Sequence, residues 1–236
     1  MKNCIIASTS TLHGQDYLEY ILPILKNHFK NAKSIVFIPF ARPGGISHDA
    51  YTAIVSNVFK TINIEVKGLH TFENKTEALK NAEGIFTGGG NTFVLVNELH
   101  KTGIIPVLKE VLENGTPYLG TSAGSNICGI NMKTTNDMPI VYPPSFETIG
   151  VVPFNINPHY LDPIDGNKHM GETRETRINE FHSQNNIPVI GLREGSWLHL
   201  INNQCVLEGD LTARIFLQNQ SPFEIEPKTN LFEFLK

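Results

Sequence analysis

The chain has 236 residues, 40% of them hydrophobic and 18% charged, so it can bury one sizeable core and lies far from disordered or collagen-like compositions. Nineteen basic against 23 acidic residues leave a formal charge of -4, and no basic stripe interrupts the sequence, which argues against a nucleic-acid partner. The apolar run near the start, residues 4–7, is too short for a signal segment, and no stretch approaches a membrane span; the expectation is one cytoplasmic domain over residues 1–236, with no membrane partner. Cys4, Cys128 and Cys205 are widely separated and odd in number, a pattern of reduced thiols rather than of a disulfide framework or a metal site.

Residues 5–8, 35–39, 62–69, 84–87 and 117–121 form short apolar runs. Between them, residues 15–29, 47–61, 75–82 and 91–113 carry apolar side chains at helical spacing. This alternation predicts an α/β fold, a mostly parallel sheet with helices on both faces. Pro23 should kink or shift the first helix, and Gly103 followed by Pro106 should split the last. Residues 131–165, rich in Pro, Asn and Asp, predict irregular loops and short strands. A helix over 172–182 and a strand over 189–192 follow. The runs 197–201, 204–208, 213–217 and 223–225, separated by Asn, Gly and Pro turns, predict an antiparallel C-terminal extension of one sheet edge.

Gly120-Thr121-Ser122-Ala123-Gly124 ends a predicted strand and opens a predicted helix, the context of a nucleophile elbow. A hydroxyl on so sharp a turn projects outward only if its neighbours lack bulk, and the next backbone N–H then faces a developing oxyanion. Ser122 is thus the candidate nucleophile and Ala123 N–H a candidate oxyanion donor. The bland alternative is a Gly-Ser connection or a phosphate-cradling turn. Thr87-Gly88-Gly89-Gly90-Asn91 ends another predicted parallel strand, so both loops open on the same carboxyl edge. Its spacing fits neither the Walker pattern nor the dinucleotide fingerprint, which leaves Gly90 N–H as the second candidate oxyanion donor.

A serine hydroxyl needs a base. Of nine histidines, His159 in Asn155-Ile156-Asn157-Pro158-His159 has the best setting, a loop-rich region after the elbow with Pro158 stiffening its approach; the other eight, His169 among them, have weaker claims. Asp137, before a proline turn, and Glu194, just beyond the strand over 189–192, could each orient the imidazole, and the sequence leaves both open.

At this point the chain resembles dipeptidase E, also called aspartyl dipeptidase, the serine peptidases of family S51. The resemblance runs through Phe37-Ile38-Pro39-Phe40, Gly88-Gly89-Gly90-Asn91-Thr92-Phe93, Ser122-Ala123-Gly124, residues 134–141, Ile156-Asn157-Pro158-His159, Gly171-Glu172-Thr173-Arg174-Glu175, and Ile190-Gly191-Leu192 with Glu194. It implies a class I glutamine amidotransferase-like fold with serine in place of cysteine, no metal or organic cofactor, and a small peptide substrate with an N-terminal aspartyl residue. A homodimer is allowed. It also implies Ser122 as nucleophile, His159 as base, and either Asp137 or Glu194 as third member. An acidic substrate side chain requires a fixed cation, and Arg174 is the candidate: it has no acidic residue three or four positions away, whereas Arg177 has Glu180 at the next turn. Two departures from the family pattern are Arg193 in place of proline and Ser125 in place of alanine; Arg193 beside Glu194 is expected to favour that carboxylate's ionised form. The alternatives are a cyanophycinase-like peptidase acting on an aspartyl polymer and a non-catalytic module that binds a small metabolite.

Overall fold

Five parallel strands, β1 (Asn3–Ala7), β2 (Ser34–Ile38), β3 (Glu65–Gly68), β4 (Ile85–Thr87) and β5 (Tyr118–Thr121), form the centre of the computed structural model, which describes residues 1–163 and 171–235. Successive side chains on a strand face opposite ways, and here both faces are apolar. Ile5, Ala7, Ile35, Phe37, Phe86 and Leu119 pack under α1 (Leu22–His28) and α2 (His48–Lys60). Their neighbours Cys4, Ile6, Val36, Ile38, Ile85 and Tyr118 pack under α3 (Lys75–Lys80), α4 (Thr92–Lys101), α5 (Ile105–Glu113) and α6 (Ala123–Asn126). Helices therefore cover both faces, as the periodicity predicts.

The first predicted helix is trimmed. Leu18 takes a left-handed conformation with φ 60°, a short 3-10 turn spans Glu19–Ile21, and Pro23 sits in the first turn of α1. Proline fits there because that N–H would have no intrahelical partner, so Pro23 starts the helix instead of kinking it. The predicted segment 91–113 divides where expected, with Gly103 at φ +66° between α4 and α5. Asn91 caps α4, its side chain accepting the Val94 N–H at 3.1 Å.

The remainder of the chain supplies β6 (Asn155–Pro158), α7 (Arg174–His182), β7 (Val189–Leu192), β8 (Trp197–Ile201), β9 (Gln204–Glu208), β10 (Ala213–Phe216) and β11 (Phe223–Ile225). Only β8 and β9 extend the central sheet, antiparallel beyond β1, in the order β3-β2-β4-β5-β1-β8-β9. The last two strands depart from the expected edge extension and join a second sheet, β11-β10-β7-β6, in which β6 and β7 run parallel. Burial explains the departure. Ile215 and Ala213 enter the larger core with Leu198 and Leu207, while Phe216 packs with Tyr160, Ile178 and Val189, so β10 is covered on both faces.

β6 arises from residues that ordinarily favour turns. Asn155 Nδ2 donates to Asn131 Oδ1 at 2.8 Å, Asn157 Nδ2 donates to Thr134 O at 2.8 Å, and Asn136 Nδ2 donates to Pro158 O at 2.8 Å. These bonds wrap the loop before β6 along the strand's open edge and satisfy its polar groups. Among the described residues no helix is long and apolar enough to cross a membrane. All three thiols are buried and unpaired, and burial pushes Cys4 and Cys205 up to about 12.

His28 illustrates how the fold restricts protonation. Its Nε2–H donates to Tyr118 O at 3.1 Å, and His199 faces it with ring centroids 6.0 Å apart. Burial first, then His199, lowers the His28 pKa to about 4, with the Tyr118 carbonyl opposing. The unfolded chain accepts this proton near pH 6.5 and the native state does not, so stability is full above that value and falls as pH drops towards about 4. His28 should contribute a loss of about 2 kcal/mol between pH 7 and pH 5. Urea midpoints of wild type and His28→Gln across that range test this; an identical pH slope in the two proteins removes His28 as its source.

Candidate active site

Ser122 follows β5 and has φ 53° and ψ -110°, a conformation that few non-glycine residues adopt. Its N–H donates to Ala7 O at 3.2 Å, and its carbonyl accepts the N–H groups of Ser125 and Asn126 at 2.9 Å each. Glycines permit the turn. A Cβ at Gly120 would stand 2.4 Å from Gly124 O, and one at Gly124 would stand 2.1 Å from Thr87 O. The Ser125 hydroxyl lies 2.6 Å from Ala7 O and 2.8 Å from Gly120 O, so this departure from alanine ties the elbow to β1.

His159, directly after β6, also has φ 53°. Its Nε2 lies 3.0 Å from Ser122 Oγ and its Nδ1 lies 2.6 Å from Glu194 Oε1. A carboxylate only accepts, so Nδ1 carries the proton and the Nε2 lone pair faces the serine hydroxyl. Strand register brings the acid and the imidazole together: Pro158 pairs with Leu192 across the parallel β6 and β7, so His159 and Glu194 leave neighbouring strand ends. Ser8, buried at the end of β1, fixes the join. Its hydroxyl accepts the His159 N–H at 2.9 Å and donates to Leu192 O at 2.7 Å.

The second candidate carboxylate is elsewhere. Asp137 Oδ2 accepts the Thr92 N–H at 2.7 Å and lies 3.0 Å from Thr135 Oγ1, which places it on the N-terminus of α4 instead of on His159. Of the two acids left open by the sequence, Glu194 is therefore the one in contact with the imidazole.

The glycine loop holds the candidate oxyanion donors. Gly88 N–H donates to Ile38 O and Asn91 N–H to Ala41 O, whereas the N–H groups of Gly89 and Gly90 have no partner among the described residues. Gly89 lies against Ser122, since a Cβ there would be 3.0 Å from Ser122 Cβ. Tyr51 OH donates to Gly89 O at 3.3 Å, and in a trans peptide the Gly90 N–H points the opposite way. Gly90 itself, at φ +146°, cannot carry a side chain, because a Cβ would meet Ala41 O at 2.2 Å. Ala123 is the first residue of α6, where an N–H has no intrahelical acceptor.

Arg174 opens α7 behind the N-cap Thr173, whose hydroxyl accepts the Thr176 N–H at 3.1 Å. It makes no ion pair among the described residues. Burial, then Arg177, lowers its pKa, while the charge of Asp137 opposes them. Arg177 pairs with Glu172, which precedes the helix, at 3.6 Å, and makes no ion pair with Glu180 at the next turn among the described residues. Arg193 makes no hydrogen bond or ion pair with Glu194 among the described residues. Its guanidinium holds both Asp162 oxygens at 2.7 and 2.8 Å and both Glu224 oxygens at 2.8 and 3.1 Å. His169 lies outside the described residues.

Ser8 and Tyr51 are contributors that the sequence reading misses. Ser8 could have been flagged by its place at the carboxyl end of a parallel strand. Tyr51 gives no such signal, since an apolar stripe on α2 accounts for its position.

Residues 4–207 match the sequence profile of Peptidase family S51. The Peptidase E of Streptomyces coelicolor is 44% identical over 233 residues, covering 99% of this chain and 95% of the relative. A Drosophila melanogaster protein named probable alpha-aspartyl dipeptidase is 43% identical over 233 residues, covering 98% and 96%. The crystal structure of a peptidase from an acI-B1 Actinobacterium superposes with a TM-score of 0.71 over 98% of this chain and 96% of its own, at 16% identity, and so shares the fold. With a family match over most of its length and relatives above 40% identity from end to end, the chain belongs to peptidase family S51.

Proposed function

We propose that this protein is a serine dipeptidase that releases an N-terminal aspartyl residue from Asp-Xaa dipeptides. The observation that carries the reading is the hydrogen-bonded series Ser122 Oγ, His159 and Glu194, at 3.0 and 2.6 Å. The names of the relatives, Peptidase E and probable alpha-aspartyl dipeptidase, support the substrate class. The reading extends to a cytoplasmic protein of one domain whose partner is a small peptide; three buried, unpaired cysteines suit a reducing compartment.

In this mechanism Ser122 Oγ attacks the aspartyl carbonyl carbon while His159 Nε2 takes the hydroxyl proton. The carbonyl oxygen becomes an oxyanion and is met by the N–H groups of Ala123 and Gly90. The C–N bond then breaks, His159 returns the proton to the leaving amine, and an ester remains on Ser122. Water hydrolyses the ester by the same route, again with His159 as base. Glu194 keeps the imidazole oriented and stabilises its charged form in both halves. Arg174 receives the substrate's side-chain carboxylate in a bidentate pair.

Ser122→Ala should lower kcat for Asp-Leu roughly 10⁴- to 10⁶-fold with an unchanged thermal midpoint; retained turnover in a pure preparation would end the proposal. Glu194→Gln should reduce kcat roughly 10²- to 10⁴-fold. Asp137→Asn, by contrast, should leave most of kcat and remove about 1 kcal/mol of stability through the α4 terminus. Steady-state kinetics and urea titration of both variants check the assignment, and a reversed pattern would transfer the orienting role to Asp137. For Arg174→Gln, kcat/KM for Asp-Leu should drop about 10²-fold while Ala-Leu is not slowed. Equal losses on the two substrates would remove Arg174 from side-chain recognition.

A further inference from the structure

The chain contains five arginines, and their partners sort them. Arg177 pairs with Glu172, Arg193 with Asp162 and Glu224, and Arg214 with Glu175 and Glu224. Arg42 and Arg174 alone make no ion pair among the described residues. These two stand in different surroundings. Arg174 shares its surroundings with Asp137 on the N-terminus of α4, and α4 packs in the core that contains Ile6 and Tyr118. Arg42 lies over Tyr51 with its guanidinium carbon 4.7 Å from the ring centroid, and Tyr51 belongs to the core on the other face, with Ile5 and Leu119.

Arg42 is also linked to the nucleophile by short contacts. Tyr51 OH donates to Gly89 O at 3.3 Å, and Gly89 is packed against Ser122. The residue before Arg42 is pinned to the same loop, since Ala41 O accepts the Asn91 N–H at 2.7 Å. An arginine stacked on an aromatic ring keeps its planar fork oriented while its N–H groups stay available at the edge. Arg42 is exposed and Tyr51 is buried, so the cation faces solvent above a fixed platform beside the glycine loop.

An Asp-Xaa dipeptide carries two carboxylates, one on each side of the scissile bond: the aspartyl side chain and the free C-terminus of the leaving residue. We propose that Arg42 binds the C-terminal carboxylate of the leaving residue, so that the two arginines without an ion pair among the described residues hold the two ends of the substrate, with Ser122 between them. This rests on the dipeptidase reading with Arg174 on the acyl side, and adds to it a reason why the substrate ends one residue beyond the cleaved bond. A longer peptide or an amide offers Arg42 no charge at that distance.

The test compares Asp-Leu with Asp-Leu amide in wild type, Arg42→Gln and Arg42→Lys. Wild type should favour the free acid by about tenfold or more in kcat/KM, chiefly through KM. Arg42→Gln should lose that preference by slowing Asp-Leu and leaving the amide unchanged, and Arg42→Lys should keep part of it. A merely structural role would slow both substrates equally, and that result overturns the proposal, as does a wild type indifferent to the terminal charge. If wild type cleaves neither substrate, the dipeptidase reading itself fails and Arg42's role falls with it.

Discussion

Ser8 joins the two halves of the site. The imidazole of His159, which faces the Ser122 hydroxyl, belongs to the second sheet, while Ser122 belongs to the central one, and the Ser8 hydroxyl connects them by accepting the His159 N–H and donating to Leu192 O. Asn126 on α6 adds a second tie, its Nδ2 donating to Ile156 O at 2.9 Å within β6. Each such bond contributes only about 1 kcal/mol to stability. Their greater effect is positional, because a misplacement of about 1 Å at a reacting pair can cost about 10²-fold in rate. The core that contains Ile6, Leu198, Ile156 and Ile190 is continuous across both sheets, so the bonds set the register of surfaces already held together by burial.

Ser122 and His159 are both held at φ 53°, and each left-handed side-chain-bearing residue stores roughly 1–3 kcal/mol of strain. At Ser122 the strain is held by three backbone bonds and by glycines at 120 and 124 that let the strand and helix approach closely. At His159 it is held by Ser8 on one side and by the Pro158–Leu192 pairing on the other. Strain at both members of a hydrogen-bonded pair fits a site whose groups are positioned before substrate arrives.

The central sheet is legible in the sequence because its signal is local: apolar alternation at period two for strands and helical spacing between them. The elbow is legible for the same reason, since the steric demand for glycine falls within five residues. What the sequence hides depends on partners far along the chain. Asp137 and Glu194 are both acids outside regular elements, and only the parallel pairing of β6 with β7 decides which meets His159. β10 and β11 look like any edge hairpin until the second sheet offers β10 a cover on both faces. The turn-forming asparagines of β6 read as loop because their partners, Asn131 and Thr134, lie more than twenty positions away.

Arginine shows how partner count divides structural from ligand-facing roles. Arg193 and Arg214 share Glu224, and Arg193, Thr212 and Arg214 hold that carboxyl down to about 2 against the effect of burial. Arg193 also lowers the Asp162 pKa by direct hydrogen bonds. Asp162 lies three residues beyond His159 and Arg193 precedes Glu194, so this network braces the two loops that carry the imidazole and its acid from behind. A guanidinium saturated in this way has no donors left for a substrate carboxylate. Arg42 and Arg174 make no ion pair among the described residues, so the described partners divide the arginines into three that hold carboxylates of the fold and two whose guanidinium groups hold none.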